Sequence, residues 1–313
     1  MTSEFEFIDL LKRRYGLGRI GDDCAILPKD DATDLVVTAD MLVQDIDFRL
    51  DWTTAELLGH KALAISLSDI AAMGAKPVWA MVSIAVPRRL WDAGFVAEFY
   101  AGWFTLANKH GVDLVGGDLS GTRSGLVIDS IVGGEVAKGR AILRSGAKPG
   151  DAIYVSGSLG GAAGGLSILE NNRGSNGNED LVFKQLQPWP KVELGKLLQD
   201  LGVISSMIDI SDGISSDLGH ICKASGVGAR IYADRLPLNP ELEKEFESKE
   251  SLDMALNGGE DFELLFTGQK TAVETIDIPW ITCIGEITDT ADEIELFSDG
   301  DSTLLVPAGF LHF

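Results

Sequence analysis

The stretch from Thr53 to Met73 constrains the fold more than any other part of the chain. Thr53 and Glu56 have the spacing of a capping box, the middle is rich in Ala and Leu, Gly74 follows the last turn, and Pro77 bars continuation, so a helix is predicted. His60, Lys61 and Asp69 interrupt its apolar run, which denies it the purity of a bilayer span and predicts a soluble protein. Asp69 is the informative position. Its helical neighbours Ile65, Ser66, Ala72 and Met73 form a mostly apolar stripe, so a bare carboxylate there is costly and requires a cation or hydrogen-bond partners.

Short β-branched or apolar runs at Leu35–Thr38, Val78–Val86, Leu126–Val132, Ala152–Val155 and Glu263–Thr267 predict strands, with helical patterns between several of them. The layout is that of an α/β or α+β protein. A turn-rich segment, Ser145-Gly146-Ala147-Lys148-Pro149-Gly150-Asp151, precedes a fresh series of strands and helices and places a domain boundary there, giving domains 1–144 and 145–313. Asn171 to Glu179 reads as a polar, mobile loop. One internal echo links Gly116-Gly117-Asp118 with Gly258-Gly259-Glu260-Asp261, and no solenoid repeat accompanies it.

The formal net charge of −22 argues against a nucleic-acid partner, since phosphates are normally met by a field of Lys and Arg; a polyphosphate bound here needs cations to mediate it. Cys24, Cys222 and Cys283 lie far apart with no Cys-x-x-Cys pair, so neither a disulfide framework nor a zinc knuckle is suggested, and Met1 to Arg14 lacks the pattern of a secretory signal. A reducing cytoplasm is the expected location. Gly16-Leu17-Gly18-Arg19-Ile20-Gly21 is formally G-x-G-x-x-G, but Leu10 to Tyr15 before it reads as the end of a helix, so the dinucleotide-binding context fails. Lys12-Arg13-Arg14 reads as a solvated helix end. The P-loop, the kinase His-Arg-Asp loop and the H-E-x-x-H zinc motif are all absent.

What remains is a series of acids at the ends of apparent strands or in apolar surroundings: Asp22-Asp23, Asp40, Asp69, Asp118, and Asp209 with Asp212. Such carboxylates suit Mg²⁺, a hard cation that takes oxygen ligands and shares substrate phosphates. Each also has a structural reading. Asp22 and Asp23 fit an Asx turn, Asp40 a strand end, Asp118 a glycine turn, and Asp212 a cap on the helix of Ile214, Leu218 and Ile221. Gly116-Gly117-Asp118 offers close backbone approach to a phosphate beside a carboxylate, and Asp209-Ile210-Ser211-Asp212-Gly213 opens a helix whose first amides are available to an anion. Arg144 fits a phosphate partner and a solvated surface charge equally well.

Taken together, seven segments resemble the thiamine-monophosphate kinase family, in the order found there: Gly21-Asp22-Asp23-Cys24-Ala25, Thr38-Ala39-Asp40-Met41-Leu42-Val43, Lys61 through Leu67-Ser68-Asp69-Ile70-Ala71-Ala72-Met73-Gly74-Ala75, Gly116-Gly117-Asp118, Arg144 to Asp151, Ile208 to Gly213, and Gly258-Gly259-Glu260-Asp261-Phe262-Glu263-Leu264. The third segment alone is similar to the wider superfamily of aminoimidazole ribonucleotide synthetase-like ATP-using enzymes.

The resemblance implies a two-domain fold of that superfamily. Its N-terminal α/β domain would dimerise through its strands, giving a homodimer, and the active site would lie in the cleft between that domain and a C-terminal α/β domain. It implies direct transfer of the γ-phosphoryl of ATP to thiamine monophosphate, with Asp209, Asp212 and Asp69 at the catalytic centre. Asp23, Thr38, Ala39, Asp40, Asp69, Asp118, Asp209 and Asp212 would surround Mg²⁺; Tyr100, Gly117, Asp118, Arg144 and Ser211 would meet ATP; and Glu260 and Phe310 would contact the thiamine side. Two departures matter: Ala39 stands where the family usually has Thr or Ser, so any ligand there is a backbone carbonyl, and Asp47 stands where a substrate-side histidine is common. Two relatives fit less well. A selenophosphate synthetase would carry a nucleophile before Gly21, and the hydrogenase-maturation relative would carry a terminal cysteine after Gly309.

Overall fold

The computed structural model describes residues 4–171, 179–275, 278–298 and 300–309. In chain order, the first half holds α1 (Glu4–Tyr15), β1 (Ala25–Pro28), β2 (Thr33–Val43), α2 (Ala55–Ala72), β3 (Lys76–Pro87), α3 (Arg88–Asp92), α4 (Phe95–His110), β4 (Asp113–Thr122) and β5 (Val127–Ala137). The second half holds β6 (Ala152–Ser156), α5 (Gly161–Glu170), α6 (Glu179–Leu186), α7 (Val192–Leu201), β7 (Ile204–Asp209), α8 (Ile214–Ser225) and β8 (Gly228–Tyr232). After it come α9 (Leu242–Glu245), α10 (Ser248–Asn257), β9 (Leu264–Gly268), α11 (Lys270–Val273), β10 (Ile281–Thr288), β11 (Ile294–Ser298) and β12 (Asp301–Leu304).

The strands form two sheets, one per half. The first has the order β1-β2-β5-β3-β4, antiparallel except for the parallel edge pair β3 and β4. The second has the order β12-β11-β8-β10-β6-β9-β7. Helix α2 packs on β2 and β5 of the first sheet and on β7 and α7 of the second half. That position explains an apolar surface running around most of its circumference, because a helix covered on all sides gains nothing from a polar face. Its residues Leu58, Leu63, Leu67 and Ile70 join Val36, Val82 and Ile128 of the first sheet and Tyr154, Met207 and Phe266 of the second in one continuous core.

The five predicted strands correspond to β2, β3, β5, β6 and β9, and the predicted long helix to α2. Its cap lies one residue later than expected: Thr54, not Thr53, is the N-cap and accepts a hydrogen bond from the Leu57 amide. The glycine-rich hexad follows the end of α1, as its sequence context required. Gly116-Gly117-Asp118 is not a turn; it runs through the middle of β4. Gly117 has φ of 142°, and a β-carbon there would overlap the Val82 carbonyl of β3, so a residue type associated with turns is required inside a strand. The echo with Gly258-Gly259-Glu260-Asp261 is therefore not structural, since that segment is the irregular approach to β9.

Candidate active site

Three acids from three separate segments, Asp23 and Asp209 buried and Asp69 half-buried, converge between the sheets. One oxygen each from Asp23, Asp69 and Asp209 lies within 4.8 Å of the others. Asp23 precedes β1, Asp69 sits in the last turn of α2, and Asp209 ends β7. Helix α2 holds the acids of both sheets. Ser66 Oγ donates to Asp40 at 2.6 Å, Ser68 Oγ donates to Asp209 at 2.6 Å, and Asp69 accepts from the Thr38 hydroxyl. Alternation along β2 explains the pairing, because Val36, Thr38 and Asp40 share the face turned to α2 while Ala39 lies on the other with its side chain exposed. Ala39 can thus offer only its carbonyl, as the sequence required.

The electrostatics are those of a site short of positive charge. Burial, joined by the charges of Asp40, Asp209 and Asp23, raises the carboxyl of Asp69 well above the usual carboxylate range. Burial and the charge of Asp23 push Asp209 up to about 8, and burial with the charge of Asp129 brings Asp40 to about 6, in each case against the hydrogen bond from its serine. Asp23 is raised by burial although Arg144 opposes the shift. Arg144 donates to Asp23 Oδ1 through Nε at 3.1 Å and through Nη2, and its backbone amide donates to Asp22 Oδ1 at 2.9 Å. Asp23 Oδ2 is buried with no hydrogen-bond partner. A buried anionic oxygen without a donor, beside two more carboxylates, fits an oxygen-liganding divalent cation.

Two loops build the rest of the site. Beyond the paired ends of β7 and β9, the chains continue side by side: the Ile210 amide donates to the Glu263 carbonyl, the Phe262 amide to the Ile210 carbonyl, and the Glu260 amide to the Ser211 carbonyl. Asp261 Oδ2 and Oδ1 accept from the Gly160 and Ala162 amides at the start of α5, while Glu263 pairs with Lys191 at 3.0 Å and accepts from Ser156. These anchors fix Glu260 in a left-handed conformation, φ 66°, with its carboxylate on Lys61 and Gln185.

Other expectations need correction or stand apart. The amides of Ser211, Asp212 and Gly213 are not available to an outside anion, because all three donate to Asp217 Oδ2. Nor does Asp212 cap α8, whose N-cap is Gly213 with no side-chain hydrogen bond. Asp118 is exposed on the edge strand β4, in register with Ser83 and Asp129 on the face away from α2, and is not among the three grouped acids. Tyr100 sits on α4 in edge contact with Phe99. Asp47 Oδ2 accepts from the Val43 amide at 2.7 Å, closing the loop after β2. Phe310 and residues 172–178 of the polar loop lie outside the described residues. Sequence reasoning named Lys61, Ser66 and Ser68 without giving them a role and passed over Asp217. The available signal was chemical, since hydroxyls and a lysine inside an apolar helix must each find a partner.

The sequence matches the AIR synthase related protein family, its N-terminal domain over residues 21–142 and its C-terminal domain over residues 148–296. Thiamine-monophosphate kinase of Escherichia coli (strain K12) is 40% identical over 304 residues, covering 94% of this chain and 91% of that protein. The chain belongs to the thiamine-monophosphate kinase family. A solved structure of this family, "AaThiL complexed with AMPPCP and TMP", superposes with a TM-score of 0.89 at 32% identity and covers 99% of this chain and 97% of its own. The hydrogenase maturation protein HypE of E. coli superposes with a TM-score of 0.71 at 20% identity, over 96% of this chain and 95% of its own, which is a likeness of fold alone.

Proposed function

We propose that this protein transfers the γ-phosphoryl of ATP directly to thiamine monophosphate, giving thiamine diphosphate and ADP. The observation that carries the reading is the Asp23, Asp69 and Asp209 group with its unpartnered oxygen, in a chain that matches the complex with AMPPCP and TMP along nearly its whole length. Mg²⁺ fits the donor set, and Asp23, Asp69 and Asp209, with Asp40, Thr38, Asp118, Asp212 and the Ala39 carbonyl, would hold several such ions among them. When bound, such ions offset the repulsion between two anionic substrates and align them.

The protein's own contribution is positioning. Ser66, Ser68 and Thr38 fix the carboxylates, Arg144 fixes Asp23, and the body of α2 excludes water behind them. No side-chain nucleophile is required. The nearest thiol, Cys24, is buried, and burial with the charges of Asp69 and Asp23 pushes it well above the range where a thiolate forms. Gly117, Asp118, Arg144, Ser211 and Tyr100 are assigned to ATP, and Glu260, Asp47 and Phe310 to the thiamine side.

A homodimer is proposed through the first sheet, whose outer face and edge expose Met41, Met81, Val115 and Leu119. We place the domain boundary at 144/145, which falls between the two matched family domains. A cytoplasmic location agrees with three unpaired thiols; among the described residues, no helix is long and apolar enough to cross a membrane.

The test is a coupled ADP-release assay with ATP, Mg²⁺ and thiamine monophosphate beside free thiamine and a control without acceptor. Release that depends on the monophosphate is expected. Binding of Mg-ATP with no turnover on any acceptor would overturn the reading.

A further inference from the structure

The loop from Asp209 to Gly213 carries two of the acids assigned to the centre, yet its four-residue span between β7 and α8 has no side-chain cap of the ordinary kind. The amides of Ser211, Asp212 and Gly213 instead converge on one atom, Asp217 Oδ2, at 3.1, 3.2 and 3.0 Å. Asp217 lies one turn into α8, is 1% exposed, and its own amide returns to the Gly213 carbonyl at 2.9 Å. The loop and the first turn of α8 are therefore laced in both directions. On its opposite side the loop is pinned by the Glu260 amide, which donates to the Ser211 carbonyl.

Such convergent amides at the start of a helix are the usual cradle for a phosphate. Here the protein fills the cradle with its own carboxylate, so the loop can approach a phosphate only through its acidic side chains. Asp209 is turned toward Ser68, Asp23 and Asp69 by this arrangement. Around Asp217, a carboxylate oxygen of Asp212 and a ring nitrogen of His220 stand within 4.8 Å of it and of each other, and the charge of Arg144 acts on it from farther off, so the three amides are the hydrogen bonds that hold its Oδ2. We propose that Asp217 is a positioning residue for the phosphoryl-transfer site, an internal hydrogen-bond acceptor that fixes the 209–213 loop in its cation-binding arrangement. The inference rests on the reading of Asp209 as a cation ligand.

The experiment compares wild type, Asp217→Ala and Asp217→Asn in the full chain. Mn²⁺ binding in the presence of AMPPCP is followed by electron paramagnetic resonance, beside the Mg²⁺ dependence of ADP release. Removing a group that orients metal ligands typically costs about 10–100-fold in metal affinity, and that loss is expected for Asp217→Ala, with KM for thiamine monophosphate little changed. Asp217→Asn keeps a neutral acceptor in place and is expected to recover part of the loss. A folded Asp217→Ala protein with wild-type Mn²⁺ affinity would overturn the proposal. If Asp217→Ala does not fold, Asp217→Asn decides: weaker Mn²⁺ binding supports the role and unchanged binding overturns it. Wild-type protein that binds Mn²⁺ and AMPPCP but never turns over would sink the kinase reading while leaving this comparison intact.

Discussion

Lys61 Nζ lies 2.7 Å from Glu260 Oε1, an ion pair that ties α2 of the first half to the Gly258–Glu263 loop of the second. The lysine side chain is 4% exposed and also donates to the Gln185 carbonyl at 3.2 Å, while the Gln185 amide donates to the other oxygen of Glu260. Replacing Lys61 with Met leaves Glu260 with one partner and a strained backbone. Because that carboxylate keeps some access to water, the expected loss of stability is about 1–3 kcal/mol, below that of a fully buried broken pair. If Glu260 contacts the thiamine side, Lys61→Met should raise KM for thiamine monophosphate about tenfold, roughly 1.4 kcal/mol, while KM for ATP stays within about twofold. Lys61→Arg should fall between. Equal rises in both constants would show that the pair holds the fold and not the substrate subsite.

Protonation of the grouped acids gives stability a defined pH dependence in the presence of a chelator. Asp40, at about 6, and Asp209, at about 8, lie above the unfolded value near 3.8, chiefly because burial penalises their charge. Between those values the folded protein holds protons that the unfolded chain has released, so their contribution is full below about pH 4 and is lost as pH rises toward 8. The melting midpoint in chelator should fall across pH 5 to 8. Cation binding requires the ionised carboxylates, so the midpoint gained on adding Mg²⁺ with AMPPCP should widen over the same range. A gain that does not change with pH would place the cation elsewhere.

The legible parts of this protein are those where a local pattern carries its own reason. Helix α2 announced itself through its cap region and Gly74, and Asp69 stood out because an acid in an apolar stripe needs a partner. The partner's identity was not legible, since it follows from register: only when β2 lies beside α2 do Thr38 and Asp40 meet Asp69 and Ser66. The strand order β1-β2-β5-β3-β4 is likewise a non-local choice that no stretch of residues encodes alone. Gly116-Gly117 misled for the opposite reason. Glycine signals a turn by its backbone freedom, whereas β4 uses it to bring two backbones together. Asp217 was hidden inside an ordinary amphipathic helix pattern, where nothing local distinguishes a core-facing acid that binds three amides from one at the surface.

The close approach at Gly117 supplies a separate test. Its φ of 142° is costly for any residue with a β-carbon, and that carbon would also overlap the Val82 carbonyl. Gly117→Ala should therefore lose about 1–3 kcal/mol from backbone strain alone and displace β4 from the sheet edge. Because Asp118 rides on that strand, ATP binding should weaken as well, measurable by calorimetry with AMPPCP. Gly121→Ala is the control, since its β-carbon would meet open space on the same strand. Equal behaviour of the two variants would remove β4 from the nucleotide site.

Asp69 should show opposite signs in stability and activity. Its carboxyl is buried beside Asp23 and Asp209, and burial with the charges of Asp40, Asp209 and Asp23 disfavours its ionised form. Asp69→Asn keeps the shape and an acceptor for the Thr38 hydroxyl while removing the capacity to ionise. In chelator the variant should melt higher than wild type, because the cost of burying an ionisable group in this crowded site, whose ionisation favours the unfolded chain, is removed without opening a cavity. With Mg²⁺, ATP and thiamine monophosphate, kcat should fall about 10²–10³-fold, since several kcal/mol of charge stabilisation at the phosphates depends on a complete ligand set. Mg²⁺ with AMPPCP should raise the melting midpoint of the variant less than that of wild type, which would reverse their order. A variant that is less stable in chelator and loses activity only in proportion would mean that Asp69 serves the fold through Thr38, and the three-acid group would no longer account for catalysis.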